Sequence, residues 1–252
     1  MTPWTGRLIL ANVLIFVASI ALPALWPELV LVPALLLLRP WTAVTYMFLH
    51  AGFMHILFNM IALYFFGPRV EQRLGGRHFL WLYFVSGISG ALLSLLFTPY
   101  ARIVGASGAV FGVLLAFAMY WPRERIYIWA VLPIEARWLV GIMTALSLYG
   151  GFSGQASGVA NFAHLGGFLG GYLYLKWREW RSPARRFKRQ VAGPAARASE
   201  RELMRKWERI DPARLHEANR AAYEEIARKL PAGGISGLTE RERAFIERFS
   251  PG

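Results

Sequence analysis

"GASGAVFG", residues 105–112, lies in the middle of a mostly apolar chain, and the way its small residues are read decides the fold. Gly108 and Gly112 make a GxxxG pair, the spacing that lets two membrane helices approach backbone to backbone. Ser107, with Gly105 and Gly108 close on either side, is not needed for that packing, so the stretch also raises a question of chemistry. The composition supports the membrane reading. The 252 residues are 56% hydrophobic and only 17% charged, with a mean hydropathy of +0.37, too apolar for a soluble domain of this length.

Charge divides the chain. Residues 1–175 hold nine arginines and four glutamates, whereas Lys176 and everything after it carry 19 of the 28 basic and 11 of the 15 acidic residues. We therefore expect a membrane body over 1–180 and a basic, helical soluble tail over 181–252. The chain has no cysteine, which excludes disulfides, thiolate metal sites and a cysteine nucleophile.

Six apolar stretches approach the ~20 residues a spanning helix needs: 8–26, 51–68, 78–97, 105–121, 137–153 and 161–178. The first, "RLILANVLIFVASIAL", could pass for a signal peptide, with Ser19 and Ala21 before a cleavage site. Only Arg7 supplies its positive flank, and the later segments use it as a span, so we read it as uncleaved. "PELVLVPALLLLRPW" (27–41) is apolar but broken by Pro27, Pro33 and Pro40. It reads as a loop in the interface, with Trp26 and Trp41 as headgroup anchors. Arg7, Arg69, Arg73, Arg77, Arg123, Arg125 and Arg137 fall on one side with the tail, and Arg39 and Arg102 on the other. The positive-inside rule then puts both termini in the cytoplasm.

The tail opens with the polybasic "RSPARRFKRQ" (181–190), a topology signal able to attract anionic lipid rather than nucleic acid. Capping-box spacing at Ser199/Glu202 and Thr239/Glu242, and Asp211-Pro212 as N-cap and first helical residue, predict three short helices. Leu215, Ala218, Ala222 and Ile226 form a thin apolar stripe on the middle one, and 231–237 reads as a turn. So small a core predicts that the tail leans on the membrane, an unidentified partner or another copy of itself.

Polar side chains within spans are costly and need a reason. Here they are few: His50, His55 and Asn59 in "HAGFMHILFNM" (50–60), Ser107, and His164 in "NFAHLGGFLGGY" (161–172). Spans two, four and six run the same way, so all five lie at similar depth. Singly, each has a structural explanation: a hydrogen-bonded histidine, an interhelical asparagine, a serine bonding its own backbone. Together they supply serine chemistry. His164 can take the Ser107 proton if spans four and six touch, and Gly105, Gly108, Gly112, Gly166, Gly167, Gly170 and Gly171 permit that contact. His55 and Asn59, at i and i+4, can donate to an oxyanion beside the N–H groups at a helix N-terminus. His50, five residues before His55, is expected to point elsewhere and to tie down the first loop. The only aspartate is Asp211, in the tail, so a Ser-His dyad rather than a triad is expected. No HExxH occurs to bind zinc.

These residues resemble the rhomboid intramembrane serine proteases over roughly residues 7–178. "HAGFMHILFNM" is similar to that family's HxxxxHxxxN, "GASG" to its GxSG, "AHLGGFLGG" to its AHxxGxxxG and "VEQRLGG" (70–76) to its ExRxG. The resemblance implies an all-α, six-span bundle in a membrane, bacterial-type and hence in the inner membrane. It implies a Ser107–His164 dyad with His55, Asn59 and the Ser107 N–H as oxyanion hole, supported by His50, Gly105, Gly108, Phe111, Gly167 and Gly171. It also implies cleavage in or beside substrate transmembrane segments, with no cofactor or metal. Two positions depart: Thr42 stands where many members have arginine, and Phe111 where some have a tyrosine under the histidine. "GGFSGQASGVAN" (150–161) reads equally as a mobile cap or a plain connector. The competing readings are a silent rhomboid-like adaptor or chaperone, and a small transporter with a histidine proton relay. The latter predicts charged residues or broken helices near the midplane, whereas the polar groups of the spans cluster at the outer side.

Overall fold

Pro3 opens the first helix, α1 (Pro3–Ala21), where its fixed φ suits the first turn. The computed structural model describes residues 1–128, 131–153, 159–182 and 199–250. It divides the chain after Glu179 into two units, each described by itself below. No side chain of α1's own first turn caps it. Its open donors meet Glu71, far along the chain: the Thr2 and Thr5 hydroxyls donate to the carboxylate at 2.5 and 2.9 Å, and the Thr5 and Trp4 N–H groups at 2.8 and 3.1 Å. A carboxylate at a helix N-terminus satisfies both the orphan donors and the dipole. The helix therefore starts and ends about five residues earlier than the expected 8–26, because its cap is remote in sequence and Pro23 forbids its extension.

The prolines break the first loop into single turns, among them α2 (Trp26–Leu29) and α3 (Thr42–Thr45). The loop is held by side chains bonding to its own backbone. Arg39 donates to the Pro27 carbonyl, the Trp41 indole to that of Glu28, and the Thr45 hydroxyl to that of Leu29, each at 2.8 Å. Thr42, buried, donates to the Arg39 carbonyl at 2.7 Å. Leu31 and Ile103 exchange backbone bonds that pin the loop to the segment before Ser107.

Then follow α4 (Phe53–Leu74), α5 (Gly76–Phe97), α6 (Ser107–Tyr120), α7 (Ala136–Phe152) and α8 (Val159–Trp180). Helix α4 runs six residues past the expected end at Pro68. The missing N–H falls in its final turns, which Glu71 clamps to α1. Between α6 and α7 lies an unexpected antiparallel hairpin, β1 (Arg125–Ile128) and β2 (Leu132–Glu135), paired from Arg125 with Glu135 to Ile128 with Leu132. Helices α1, α4 and α5 are long and apolar enough to cross a bilayer, and α6 is a shorter apolar helix.

Helix α6 is apolar on every side, as a central helix must be, and ten of its fourteen residues are buried. It meets α5 and α8 through small residues. A Cβ on Gly167 would fall on the carbonyl oxygen of Gly108, and one on Gly112 would fall on the Ser86 hydroxyl. One on Gly171 would lie 3.0 Å from the Gly112 Cα, and one on Gly90 2.6 Å from the Ala163 carbonyl oxygen. Backbone cannot yield as a side-chain tip can, so we predict that Gly167→Val destabilises the body by about 3 kcal/mol or more. A thermal melt in detergent reads this, and an unchanged midpoint would contradict the packing.

The second unit has its own core: Leu203, Ile210, Leu215, Ile226, Ile235, Leu238 and Ile246, with Trp207, Tyr223 and Phe245 among the residues against it. Residues 199–208 form a helix, α9, followed by α10 (Glu217–Gly233) and α11 (Glu240–Phe249). Ser199 is itself helical rather than a cap. Asp211 caps a single 3₁₀ turn, Pro212–Arg214, and His216 is the N-cap of α10. The buried stripe of α10 runs through Tyr223, Ile226 and Leu230, while Ala218 and Ala222 are exposed. Of the expected stripe, Leu215 and Ile226 do enter this core, but Leu215 precedes the helix, so the two alanines counted between them face outward. Helix α10 also continues through Pro231 into the stretch expected to be a turn.

The Thr239–Glu242 capping box is present. Glu242 accepts from Lys229 at 2.6 Å and from the Thr239 N–H at 2.7 Å, tying α11 to α10. The Lys229 ammonium, then the Thr239 donors, bring the Glu242 carboxyl down to about 2. A carboxylate depressed in the fold adds stability above its unfolded value near 4.5 and loses it as pH falls toward 2. Amide exchange of α11 should therefore accelerate over that window, and Glu242→Gln should flatten the dependence. Thr239→Ala should cost about 1 kcal/mol at neutral pH.

Candidate active site

Gly105 turns the chain into α6 with φ of +122°, a conformation that strains any other residue. A Cβ there would also sit 2.6 Å from Cε1 and Nε2 of His55. The Gly105 N–H donates to the Tyr46 carbonyl at 2.9 Å. The buried Tyr46 hydroxyl in turn donates to the Gly87 carbonyl of α5 at 2.7 Å. The turn that presents Ser107 is thus fixed from the first loop and from α5. Ser107 is the first residue of α6, and no side chain caps that helix. Its first N–H groups point into the site with the positive end of the helix dipole.

From α8, His164 Nε2 lies 2.7 Å from Ser107 Oγ. The imidazole stacks on Phe111, one helical turn beyond the serine, with centroids 4.2 Å apart and planes 20° from parallel. Phe168 also packs against Phe111, tilted, with centroids 4.8 Å apart. The phenyl ring fixes the plane of the imidazole without a hydrogen bond. The body's glutamates are engaged elsewhere: Glu28 with Arg39 at 3.5 Å, Glu124 with Arg69 at 2.9 Å, Glu135 with Arg137 at 2.7 Å, and Glu71 with the start of α1. Among the described residues no carboxylate bonds His164.

His55 and Asn59 stand on α4 at the same end of the bundle. His55 Nδ1 accepts from the Ala51 N–H at 3.4 Å, so the proton of the neutral ring is on Nε2, the atom against Gly105. Asn59 is buried and spends one amide hydrogen on the His55 carbonyl at 2.8 Å, leaving the other to donate. His50 departs from expectation. It precedes α4 in a non-helical segment, so counting helical residues to His55 misplaces it. Its ring meets His55 edge-on at 5.0 Å, and its Nε2 accepts from the Ala106 N–H at 3.4 Å. It supports the base of the serine turn.

Gly108, Gly167 and Gly171 act as packing residues, as described above. Of the loop expected as a cap over the site, 150–161, residues 154–158 lie outside the described residues, while 150–152 belong to α7 and 159–161 to α8. Sequence reasoning missed Tyr46, whose two bonds hold the serine turn. Nothing in "TYMFLH" distinguishes it from an interfacial aromatic. The arrangement provides a hydroxyl beside an imidazole, with the His55 ring against Gly105 and the open N–H groups at the start of α6 next to them: the elements of acyl transfer.

A family model described as Rhomboid domain matches residues 38–178, more than half of the chain. The chain belongs to the rhomboid family. This rhomboid is 38% identical over 133 residues to RHOMBOID-like protein 7 of Arabidopsis thaliana, an alignment covering 53% of this chain and 41% of that one. It is 37% identical over 142 residues to Rhomboid-like protease 3 of Toxoplasma gondii, covering 55% and 52%. It is 33% identical over 133 residues to Rhomboid protease GluP of Bacillus subtilis, covering 53% and 25%. The rhomboid thus spans about a quarter to a half of the length of these curated relatives.

The backbone at Gly105 supplies the test of this geometry. Gly105→Ala is expected to destabilise the body by more than 1 kcal/mol, since both φ and the His55 ring oppose a Cβ. Gly52→Ala, where a Cβ meets nothing within 4 Å, should change the detergent melt little. Equal losses at both positions would contradict the account.

Proposed function

We propose that this rhomboid is an intramembrane serine endopeptidase, hydrolysing peptide bonds in or beside the transmembrane segments of substrate proteins. The observation that carries the reading is the 2.7 Å contact between His164 Nε2 and Ser107 Oγ, in a body with no carboxylate on that histidine among the described residues. His164 takes the proton as Ser107 Oγ attacks the scissile carbonyl. Asn59, His55 and the Ser107 N–H donate to the oxyanion that forms. His164 then protonates the leaving amine, giving an acyl-enzyme, and activates the water that releases the new carboxylate.

Six helices, α1 and α4 to α8, are the spans on this reading. Both termini lie on the arginine-rich side, in the cytoplasm of a bacterial inner membrane, and the site opens toward the other face. The unit from Trp180 onward is a cytoplasmic tail whose partner is not identified. The alternative is a silent adaptor that binds transmembrane segments. It offers no account of a hydroxyl hydrogen-bonded to an imidazole at a ring of donors.

Cleavage of a labelled transmembrane substrate by purified protein in liposomes separates the two. Ser107→Ala and His164→Ala should each reduce turnover by at least ~10³-fold. Asn59→Ala should lower kcat by roughly 10²-fold, as expected for one oxyanion donor. A fluorophosphonate should label Ser107 in the intact chain and not in folded His164→Ala. Equal turnover in all variants, or no labelling of the intact chain, sinks the protease reading and leaves the adaptor.

A further inference from the structure

At the end of the bundle away from Ser107, α5 and α8 border a groove of about 540 Å³ lined by Arg77, His78, Trp81, Val85, Tyr174 and Trp177. Nearer the active site the same two helices touch through glycine. A Cβ on Gly166 would lie 2.7 Å from the Gly90 Cα, and one on Gly170 would strike the Ser89 side chain. Toward the groove the facing residues are large, and the space between them is closed on the inside by a hydrogen bond of 2.8 Å between His78 Nδ1 and the Tyr174 hydroxyl.

The lining is two-sided. Trp81 and Trp177 are 53% and 48% exposed, as aromatic residues are at the level of lipid headgroups. Arg77 begins α5, and Arg178 in the last turn of α8 is near enough to act electrostatically on both His78 and Tyr174, as Arg77 does. Among the described residues neither arginine forms an ion pair within 4.0 Å. Of the other arginines of this end, Arg69 and Arg137 are in ion pairs, and Arg7 and Arg73 lie over the rings of Trp4 and Tyr120. One guanidinium therefore lines a groove floored by neutral polar groups and walled by indoles, and a second, from the other helix, is near enough to act on both of those polar groups.

We infer that this groove holds one anionic phospholipid, its phosphodiester between Arg77 and Arg178 and the upper part of an acyl chain along Trp81 and Val85. The fork of a guanidinium matches phosphate oxygens, and the apolar wall requires more than a free anion. The chain's own 181–189 stretch has the wrong sign to fill it, with five basic residues and no acidic one. The bound lipid bridges α5 and α8 where they lack glycine contacts, and it does so whether or not the protein cleaves peptides.

Native mass spectrometry of the full chain, released from micelles doped with phosphatidylglycerol or phosphatidylcholine, tests this. Phosphatidylglycerol should be retained as a single adduct in preference to phosphatidylcholine. The Arg77→Gln/Arg178→Gln pair should weaken that adduct roughly thirtyfold, at about 1 kcal/mol per basic residue. The Arg77→Lys/Arg178→Lys pair, which keeps the charge and loses the fork, should fall between the intact chain and the glutamine pair. If the glutamine pair does not fold, quenching by brominated phosphatidylglycerol still decides, because Trp81→Phe in the otherwise intact chain should remove a distinct part of it. Equal retention of both lipids, an unweakened adduct in the folded glutamine pair, or unchanged quenching in Trp81→Phe overturns the inference. So does displacement by soluble glycerophosphate at the lipid's own concentration, which would mark a free-anion site, or loss of a dimer in place of the adduct, which would assign the groove to a second copy.

Discussion

Everything near Ser107 depends on backbone touching backbone between α6 and α8. Gly108, adjacent to the serine, presents its carbonyl where a Cβ of Gly167 would be, and Gly167 lies three residues from His164. The residues that allow the approach are thus next to the residues whose separation it sets. A hydrogen bond of 2.7 Å weakens steeply if either helix moves by an ångström. A methyl group inserted at Gly167 requires a shift of that size. In a bilayer the helices gain little from hiding apolar surface from one another, so close van der Waals fit carries the association. The glycines supply the fit and set the separation of Ser107 and His164 together.

The second constraint is that buried polar groups must be paired. Glu71 meets it by gathering four donors from the start of α1, so one carboxylate caps a helix and fastens the first span to the second. Tyr46 meets it by linking the serine turn to α5. Both connect elements distant in sequence, and both leave their mark on the site without touching substrate: Tyr46 through Gly105, Glu71 by fixing the helix that carries His55 and Asn59.

Much of this was legible in the sequence. Apolar length gave the helices, and glycine spacing the faces that meet. The few polar residues in apolar stretches gave the side chains that the fold brings together, because a membrane tolerates so few without cause. Legibility failed where a distant residue decided a local outcome. The start of α1 depends on Glu71, the passage of α4 through Pro68 depends on the same clamp, and His50 is placed by Ala106 rather than by the helix after it. In the second unit Leu215 and Ile226 are in the core, but Leu215 stands before the helix, and the two alanines of the expected stripe between them are exposed. The hairpin at 125–135 has too short an alternation to stand out beside the helices that flank it.

The two ends of the body differ in the kind of polarity they contain, and the difference has one physical source. At the serine end the polar groups are neutral: a hydroxyl, an amide and imidazoles, each of which can lose water if it finds a hydrogen-bond partner. At the other end they are arginines, which cannot be neutralised and must find a carboxylate, an aromatic face or an anion. Arg69 has Glu124 at 2.9 Å and the Trp121 ring at 4.6 Å. Arg7 lies over Trp4 at 4.5 Å and Arg73 over Tyr120 at 5.3 Å. Neutral groups can be sunk into the bundle to build a site sheltered from bulk water, while permanent charges are held at its rim. A chain that placed an arginine beside Ser107 would have to hydrate it, and the water that came with it would compete for the Ser107 hydroxyl and for the open N–H groups at the start of α6. The two arginines on the serine side, Arg39 and Arg102, lie outside the helices, and Arg39 is paired with Glu28 at 3.5 Å, so at both ends permanent charge stays out of the bundle and only neutral groups reach Ser107.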